Sequence, residues 1–448
     1  MNMRLPEKLV TLICLTLLIG KLHAQPNAKH EFSIQQTVEY AQKNNVQVKN
    51  ALLNIQVQQQ INRDITGAAF PSISGSIGTT DYLDIPVSLL PGEIFGQPAG
   101  TYIPVKFGTK YTSTASIQLR QTLFDGQVFI ALKARNTSIE FQSKNKEVTE
   151  ELIKTNIYKV YFLLVVSKTQ LNLLDANIER LEKLGHDASE LYKNGFAEKL
   201  DIDKIAVQMA NLQTEKTKAL NSISIGYIGL KTLMGMPVKD SLILTDKLTE
   251  EQIKNDFSND TAYQYSDRKE FQYLSLARDL NQFNIKRYQL SYIPTLALNA
   301  SYSKNAQRNT YDFIGKGDWF TTSYIGLNLS IPIFDGFSKN ARVNKSRLEL
   351  RQTENQLANL KLTIDGEIEQ AKINFKSALT TMNYQKKNMD LAEKVYNQTK
   401  KKFDSGTGSN TEISTAQTDL ITSQTNYVSA LYNAIIAKVD YLKATGKL

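Results

Sequence analysis

The chain has one cysteine, ten prolines, one tryptophan and three histidines in 448 residues. The cysteine, Cys14, lies inside an apolar run near the start, and no thiol follows it. Disulfides, thiolate metal sites and thiol nucleophiles are therefore excluded together from the rest of the chain. Beyond the start only His30 and His186 remain, far apart, so no His pair has metal-ligand spacing. There is no phosphate loop, nucleophile elbow or dinucleotide fingerprint. The sequence thus predicts no catalytic site, no metal and no cofactor. No stretch after the start approaches the roughly 18 apolar residues of a membrane helix. Hydrophobic residues make up 41% and charged residues 22%, which excludes both a polytopic helical membrane protein and a low-hydrophobicity disordered chain. The net charge of +9 is spread without a dense basic block, so a nucleic-acid partner is not expected. With so few prolines and only 22 glycines, long uninterrupted helices are allowed.

Residues 1–24 read as a secretory signal. Arg4 and Lys8 supply a charged start, Leu9–Gly20 an apolar run too short for a stable span, and Leu22-His23-Ala24 a cleavage site before Gln25. Its removal takes the net charge to +7. A secreted chain without a helical anchor is either soluble or part of a β-barrel.

The remainder is one unit written twice. Leu123-Phe124-Asp125-Gly126 recurs as Ile333-Phe334-Asp335-Gly336, and Phe70-Pro71-Ser72-Ile73 as Ile293-Pro294-Thr295-Leu296. Leu230–Gly235 matches Tyr441–Gly446. The offsets agree once an insertion between residues 83 and 112 is assigned to the first copy. The expected repeats are 25–240 and 241–448, each a helix, two strands and two long helices. The first copy predicts a helix over about 33–67, strands over 71–82 and 113–124, and helices over 127–193 and 199–234. The second predicts a helix over 261–290, strands over 294–303 and 322–334, and helices over 337–403 and 411–444.

Ile325, Leu327, Leu329, Ile331 and Ile333 alternate with Tyr324, Gly326, Asn328, Ser330 and Pro332. In a strand this puts one aliphatic face opposite one small or polar face. The other three strands repeat the pattern, with aromatic residues such as Phe70, Tyr292, Trp319 and Phe334 near the ends. Ten residues is the length of a tilted membrane-crossing strand, and the aromatics suit an interfacial girdle. A soluble sandwich face would also alternate. Four strands cannot close a transmembrane barrel, so either they pack on helices or several chains pool them.

From Leu357 to Phe403 the apolar positions advance in steps of three and four, a heptad seam over more than six heptads. Residues 337–403 would run about 100 Å as a helix. The last helix is rich in Thr, Ser, Asn and Gln, which predicts a face bathed by water. Pro71 and Pro294 open strands. At the strand-to-helix joints, Asp125 and Asp335 stand where an N-cap is wanted, with Gly126 and Gly336 easing the turn.

This ordered set resembles the TolC-like outer-membrane efflux family over nearly the whole chain after the signal. It includes the two segments Gly195–Asp201 and Gly406–Glu412 between the long helices. The resemblance implies a mainly α fold in which long coiled helical hairpins form a periplasmic tunnel. Three protomers would each give four strands to one twelve-stranded outer-membrane barrel. The implied partners are further copies in a homotrimer, a periplasmic adaptor protein, an inner-membrane pump and outer-membrane lipid. The helical turns, with Gly195, Phe196, Gly406, Thr407 and Gly408, would meet the adaptor. Asp201 and Glu412 match acidic gate positions, and Phe403 sits where a closure tyrosine is often found. Asp201 and Glu412 are also simply favourable charges at helix N-termini, worth about 0.3–1 kcal/mol each. Gly408 and Thr415 replace a basic and an acidic residue of some members. The insertion 83–112 is unusually apolar for the outer-surface loop it would be.

Two readings from different classes remain at this point. One is the outer-membrane exit duct of a tripartite efflux or type I secretion system, a passive gated pore. The other is a soluble periplasmic coiled-coil scaffold or adaptor, which keeps the helices and makes the strands a small sandwich.

Overall fold

The computed structural model describes residues 29–247, 250–254, 263–313 and 317–448. The signal expected over 1–24 and its Cys14 lie outside them. In chain order the elements are β1 (Lys29–Phe32), α1 (Ile34–Asn44), α2 (Val46–Gly67), β2 (Ser72–Asp81), β3 (Val87–Pro91), β4 (Tyr102–Lys106), β5 (Tyr111–Phe124), α3 (Gly126–Lys193) and α4 (Lys199–Met234). There follow β6 (Ser241–Leu244), α5 (Glu250–Lys254), α6 (Lys269–Gln289), β7 (Thr295–Arg308), β8 (Phe320–Ser330), α7 (Ser338–Asp404) and α8 (Asn410–Ala444). The chain divides into two compact units, one holding residues up to 51 with 146–269 and 361–448, the other 52–145 with 270–360. Each unit draws on both halves of the sequence.

The second unit contains a four-stranded antiparallel sheet in the order β2-β5-β7-β8. Residues directly opposite in such a sheet point to the same side, so the register turns four alternating strands into rows. Ile73–Leu119–Ala300–Ile325 is one row, Gly75–Ile117–Tyr302–Ser323 the next, and Leu298–Leu327 and Leu296–Leu329 continue the same face. The opposite face carries Ser72–Arg120–Asn299–Gly326, Ser74–Gln118–Ser301–Tyr324 and Ser76–Ser116–Ser303–Thr322. Hydroxyls pair across that face, Ser76 Oγ to Ser116 Oγ at 2.8 Å and Thr114 Oγ1 donating to Asn305 Oδ1 at 2.7 Å. The aliphatic face is bare within the chain: Ile77 is 84% exposed and Ile325 74%. Both edge strands, β2 and β8, are also exposed along their whole length.

Two strand ends differ by more than two residues from the sequence expectation. β7 continues to Arg308, five residues beyond the end expected at 303. β8 stops at Ser330, so Ile331 and Ile333 extend the aliphatic alternation without belonging to the ladder. The register ends at Thr295↔Ser330, directly after Pro294, and Pro332 has no N–H to give to a further rung. The insertion is an antiparallel hairpin of β3 and β4 with exposed Leu89, Ile94, Phe95 and Tyr102.

The first unit is helical apart from β1 and β6, a parallel pair that sequence reading missed. Four-residue strands are too short to show a period. Their core joins Val38, Ala41, Ile153, Ile157, Tyr161, Leu230 and Met234. The Tyr161 hydroxyl donates to the Phe32 carbonyl at 3.1 Å and accepts from the Asp246 N–H at 3.3 Å. Burial pushes this phenol well above its usual range. The heptad seam on α7 is buried or half-buried throughout, with Ile364, Phe375 and Met382 sealed from solvent.

The helix expected over 33–67 is interrupted at Asn45, whose backbone is extended. Its Oδ1 accepts from the N–H groups of Gln47 and Val48 at 2.8 and 3.2 Å, and its Nδ2 donates to the Leu233 carbonyl at 2.7 Å. The amide thus caps α2 and also satisfies a free carbonyl at the C-terminus of α4. Likewise α6 begins only at Lys269; residues 261–262 of the helix expected over 261–290 lie outside the described residues. Arg268 stands before it, 4% exposed, and its Nη1 donates to the Ala444 carbonyl at 3.1 Å and to Glu367 Oε2 at 3.0 Å. Asn45 and Arg268 each stand 26 residues before their strand-opening prolines, Pro71 and Pro294.

The long helices also end alike. Gly235 and Gly446 both adopt φ +70°. Met236 N–H bonds the Lys231 carbonyl at 2.8 Å, and Lys447 N–H bonds that of Leu442 at 2.8 Å, the Schellman pattern. A Cβ on Gly235 would meet Asn44 O at 2.5 Å, and one on Gly446 would meet Asp267 O at 2.9 Å. Only glycine meets both demands, left-handed backbone and close approach.

Candidate functional site

The turns between the long helices lie in the helical unit, and their residues line one cleft of about 650 Å³. α3 ends at Gly195 (φ +80°) with Phe196 N–H bonded to the Leu191 carbonyl at 2.8 Å. α7 ends at Gly406 (φ +73°) with Thr407 N–H bonded to the Lys402 carbonyl at 3.0 Å. Gly408 packs so closely that a Cβ would stand 3.0 Å from the Phe403 nitrogen. Thr407 Oγ1 donates to the Lys402 carbonyl at 3.2 Å, which fixes the turn. Phe196 is 81% exposed.

The predicted gate residues are not gathered equally. Asp201, in the first turn of α4, is half-buried and lines the cleft, with Lys204 Nζ 3.9 Å away. Phe403 lines it too and packs on the cluster of Leu181, Leu184, Ile205 and Ile413. Glu412 is exposed and outside the lining; its N–H bonds the Ser409 hydroxyl, the N-cap of α8, at 3.2 Å. The other cleft carboxylates are Asp187, Glu190 and Asp404, in the closing turns of α3 and α7. Sequence reading looked only at the helix starts and passed over these three. Their signal was available: acidic residues at helix C-termini oppose the macrodipole and need a local cation. Each of two has one. Lys193 bonds Glu190 at 2.7 Å and holds its carboxyl below the usual range. Lys400 bonds Asp404 at 2.8 Å, and this bond raises the lysine.

The cleft also contains Asn410, whose Nδ2 and Oδ1 are both sealed from solvent without a hydrogen-bond partner in the chain. The nearby Ser414 hydroxyl is in the same condition. Deeper in, part of the polar face of α8 is not bathed by water as its composition predicts. Gln417 is 1% exposed and Gln424 is buried. Asn177 Nδ2 donates to Gln424 Oε1 at 2.7 Å, and Gln417 Nε2 donates to Asn177 Oδ1 at 3.3 Å. Facing amides bond one another here, with Gln417 Oε1 left without a partner, so their polarity does not report exposure.

The strand-to-helix joints differ in mechanism. Asp125 Oδ1 accepts from the Gln127 N–H at 2.8 Å, and Gly126 is required by space, a Cβ there lying 2.8 Å from Leu290 Cβ. Asp335 Oδ2 accepts from the Lys339 N–H at 2.8 Å across two left-handed residues, Gly336 and Phe337, both at φ +63°. Among the described residues no group of His, Cys, Asp and Glu could hold a metal, and no helix is long and apolar enough to cross a membrane.

Fold and sheet together define a mainly helical chain that contributes four strands to a β-barrel. The model of the family described as outer membrane efflux protein matches residues 266–447. BepC, an outer membrane efflux protein of Brucella suis, is 22% identical over 414 residues, covering 91% of this chain and 84% of that protein. The outer membrane protein TolC of Escherichia coli is 20% identical over 351 residues, covering 75% and 70%. The crystal structure of the Campylobacter jejuni outer membrane channel CmeC superposes with a TM-score of 0.75 at 16% identity, covering 100% of this chain and 94% of that one. Residues 266–447 thus match the outer membrane efflux protein family, and the chain as a whole is similar to outer membrane proteins of the TolC type.

Proposed function

We propose that this protein is the outer-membrane exit duct of a tripartite efflux or type I secretion system. It is a passive gated pore that extends into the periplasm. The observation that carries this reading is the open sheet. Its aliphatic face is bare, and both edges present unpaired backbone groups. The aliphatic face suits lipid, but the edges cannot meet it in a single chain, because each unpaired N–H or C=O in hydrocarbon costs several kcal/mol. Four antiparallel strands are an even number, so β8 of one copy and β2 of the next run antiparallel and pairing can continue round a ring. Three copies give twelve strands, within the range of transmembrane barrels.

In this reading the two halves, 25–240 and 241–448, are copies of one unit. The repeated joint at Asn45 and Arg268 supports that. The cleft turns, with Gly195, Phe196, Gly406, Thr407 and Gly408, receive a periplasmic adaptor that links the duct to an inner-membrane pump. The exposed Phe196 suits such a contact. Asp201, Glu412 and Phe403 act at the periplasmic gate. The energy for transport comes from the pump.

The test is direct. Purified mature protein in detergent should run as a trimer, stay in membranes through a carbonate wash and form conducting channels in planar bilayers. A solitary chain that washes off and never conducts would overturn the reading and favour the soluble scaffold.

A further inference from the structure

The polar face of the sheet is almost free of charge. Across its rows the side chains are hydroxyls, amides, small groups and a few aromatics, with one exception, Arg120. No carboxylate shares that face. Arg120 is exposed, and its guanidinium takes part in none of the ion pairs or hydrogen bonds among the described residues. Its neighbours in the row are Ser72, Asn299 and Gly326, all neutral and small. A Cβ placed on Gly326 would touch nothing. The row lies near the helix-proximal end of the strands, one residue beyond Pro71 in β2 and five before Asp125 in β5.

An uncompensated charge on a neutral surface needs a reason, and structure within the chain gives none: Arg120 braces no neighbour and caps no element. We propose that Arg120 determines the solute selectivity of the duct. This rests on the pooled-strand reading, in which the polar face lines the barrel interior. Three copies then place three guanidinium groups at one level of a low-dielectric wall. Such a ring focuses field into the lumen. The guanidinium stays charged at every physiological pH and binds carboxylate or phosphate oxygens in a bidentate fork. The barrel therefore concentrates and retains anionic solutes bearing carboxylate or phosphate groups. The acidic cleft of the helical unit carries charge of the opposite sign, so the two act on different ions.

The test uses the full protein in planar bilayers at 0.1 M salt, with inorganic tripolyphosphate added on the barrel side. Wild-type channels should be blocked. Arg120→Ala should weaken the block at least about tenfold, the lower end of what focused charge does to local ion concentration. Arg120→Lys should retain most of it, and Arg120→Glu should abolish it and permit block by spermine from the same side. Raising the salt should weaken wild-type block, since exposed charges are screened within a few ångströms at 1 M. If Arg120→Ala conducts and is blocked like wild type, the inference is overturned while the exit-duct reading stands. If wild type itself never conducts, both fall.

Discussion

Replacing Asn45 by alanine isolates the joint that splits the first helix. The substitution removes the acceptor for the Gln47 and Val48 N–H groups and the donor to the Leu233 carbonyl. Loss of an asparagine cap costs about 1 kcal/mol, and loss of the bond to the carbonyl at the end of α4 about another 1 kcal/mol. About 2 kcal/mol corresponds to a roughly thirty-fold larger local opening constant. Hydrogen–deuterium exchange of the assembled protein in detergent reads this directly. The peptide covering residues 45–52 should exchange about thirty-fold faster, with the sheet strands unchanged. Asn50→Ala, an exposed substitution on the same helix, is the control and should leave exchange unaltered or slower. Because Arg268 occupies the matched position, Arg268→Ala should open residues 268–275 by a similar or larger factor. Its bond to Glu367 is charge-assisted, worth about 1.5–3 kcal/mol. Exchange of residues 45–52 within twofold of wild type in Asn45→Ala would refute the reasoning.

Other perturbations separate the remaining claims. Asp201→Ala with Glu412→Ala should lower cation preference and weaken block by multivalent cations; the geometry assigns most of the effect to Asp201, so Glu412→Ala alone should do little, and an unchanged double variant removes both from the gate. Lysine at Leu327, on the aliphatic face, should cost about 2–4 kcal/mol near the bilayer midplane and reduce the carbonate-resistant fraction, whereas lysine at Ser301, on the polar face, should not; equal behaviour would refute the assignment of faces. Tyr263 and Tyr265 both donate to Asp365, at 2.7 and 3.0 Å, and these bonds raise both phenols, Tyr263 to about 12. A raised folded-state pKa means the stabilisation is complete below the ordinary value near 10 and is lost as pH rises through about 12. Ultraviolet titration of Asp365→Ala should show two fewer late-ionising phenols than wild type; an unchanged count would remove Asp365 as the cause.

Much of the fold was readable because its signals are long. Helices such as Gly126–Lys193 and Ser338–Asp404 carry many turns of periodic residues, and their ends are marked by Gly195 and Gly406. The strands were readable because alternation persists over ten residues and prolines mark their starts. What escaped was short or depended on tertiary partners. The β1–β6 pair spans four residues on each side. The break at Asn45 follows no proline or glycine, and its cause is a carbonyl 188 residues away, at Leu233. The buried amides of Gln417 and Gln424 read as a wet surface because Asn177, which bonds one atom of each, lies on another helix. Asp201 and Phe403, named through the family resemblance, line the cleft, while Asp187, Glu190 and Asp404 needed the cleft to be seen.

The joints at Asn45 and Arg268 show which demands geometry fixes and which it leaves open. At the end of each long helix a free carbonyl must be satisfied, and the following chain passes within van der Waals distance of the helix end. The second demand admits only glycine, and Gly235 and Gly446 are both glycine. The first demand can be met by any side chain with a well-placed N–H, and here the halves diverge: Asn45 uses an amide, Arg268 a guanidinium that also engages Glu367. The strand-to-helix turns behave the same way. Aspartate is kept because both turns offer it a backbone N–H, whereas Gly126 answers a steric demand and Gly336 a conformational one. The two joints share a residue where geometry leaves one solution and differ where it leaves several. It follows that exchanging Asn45 and Arg268 between the halves should be tolerated poorly in one direction. Arginine at 45 carries no acceptor for the Gln47 and Val48 N–H groups, whereas asparagine at 268 can still offer an N–H donor and loses the charge-assisted bond to Glu367.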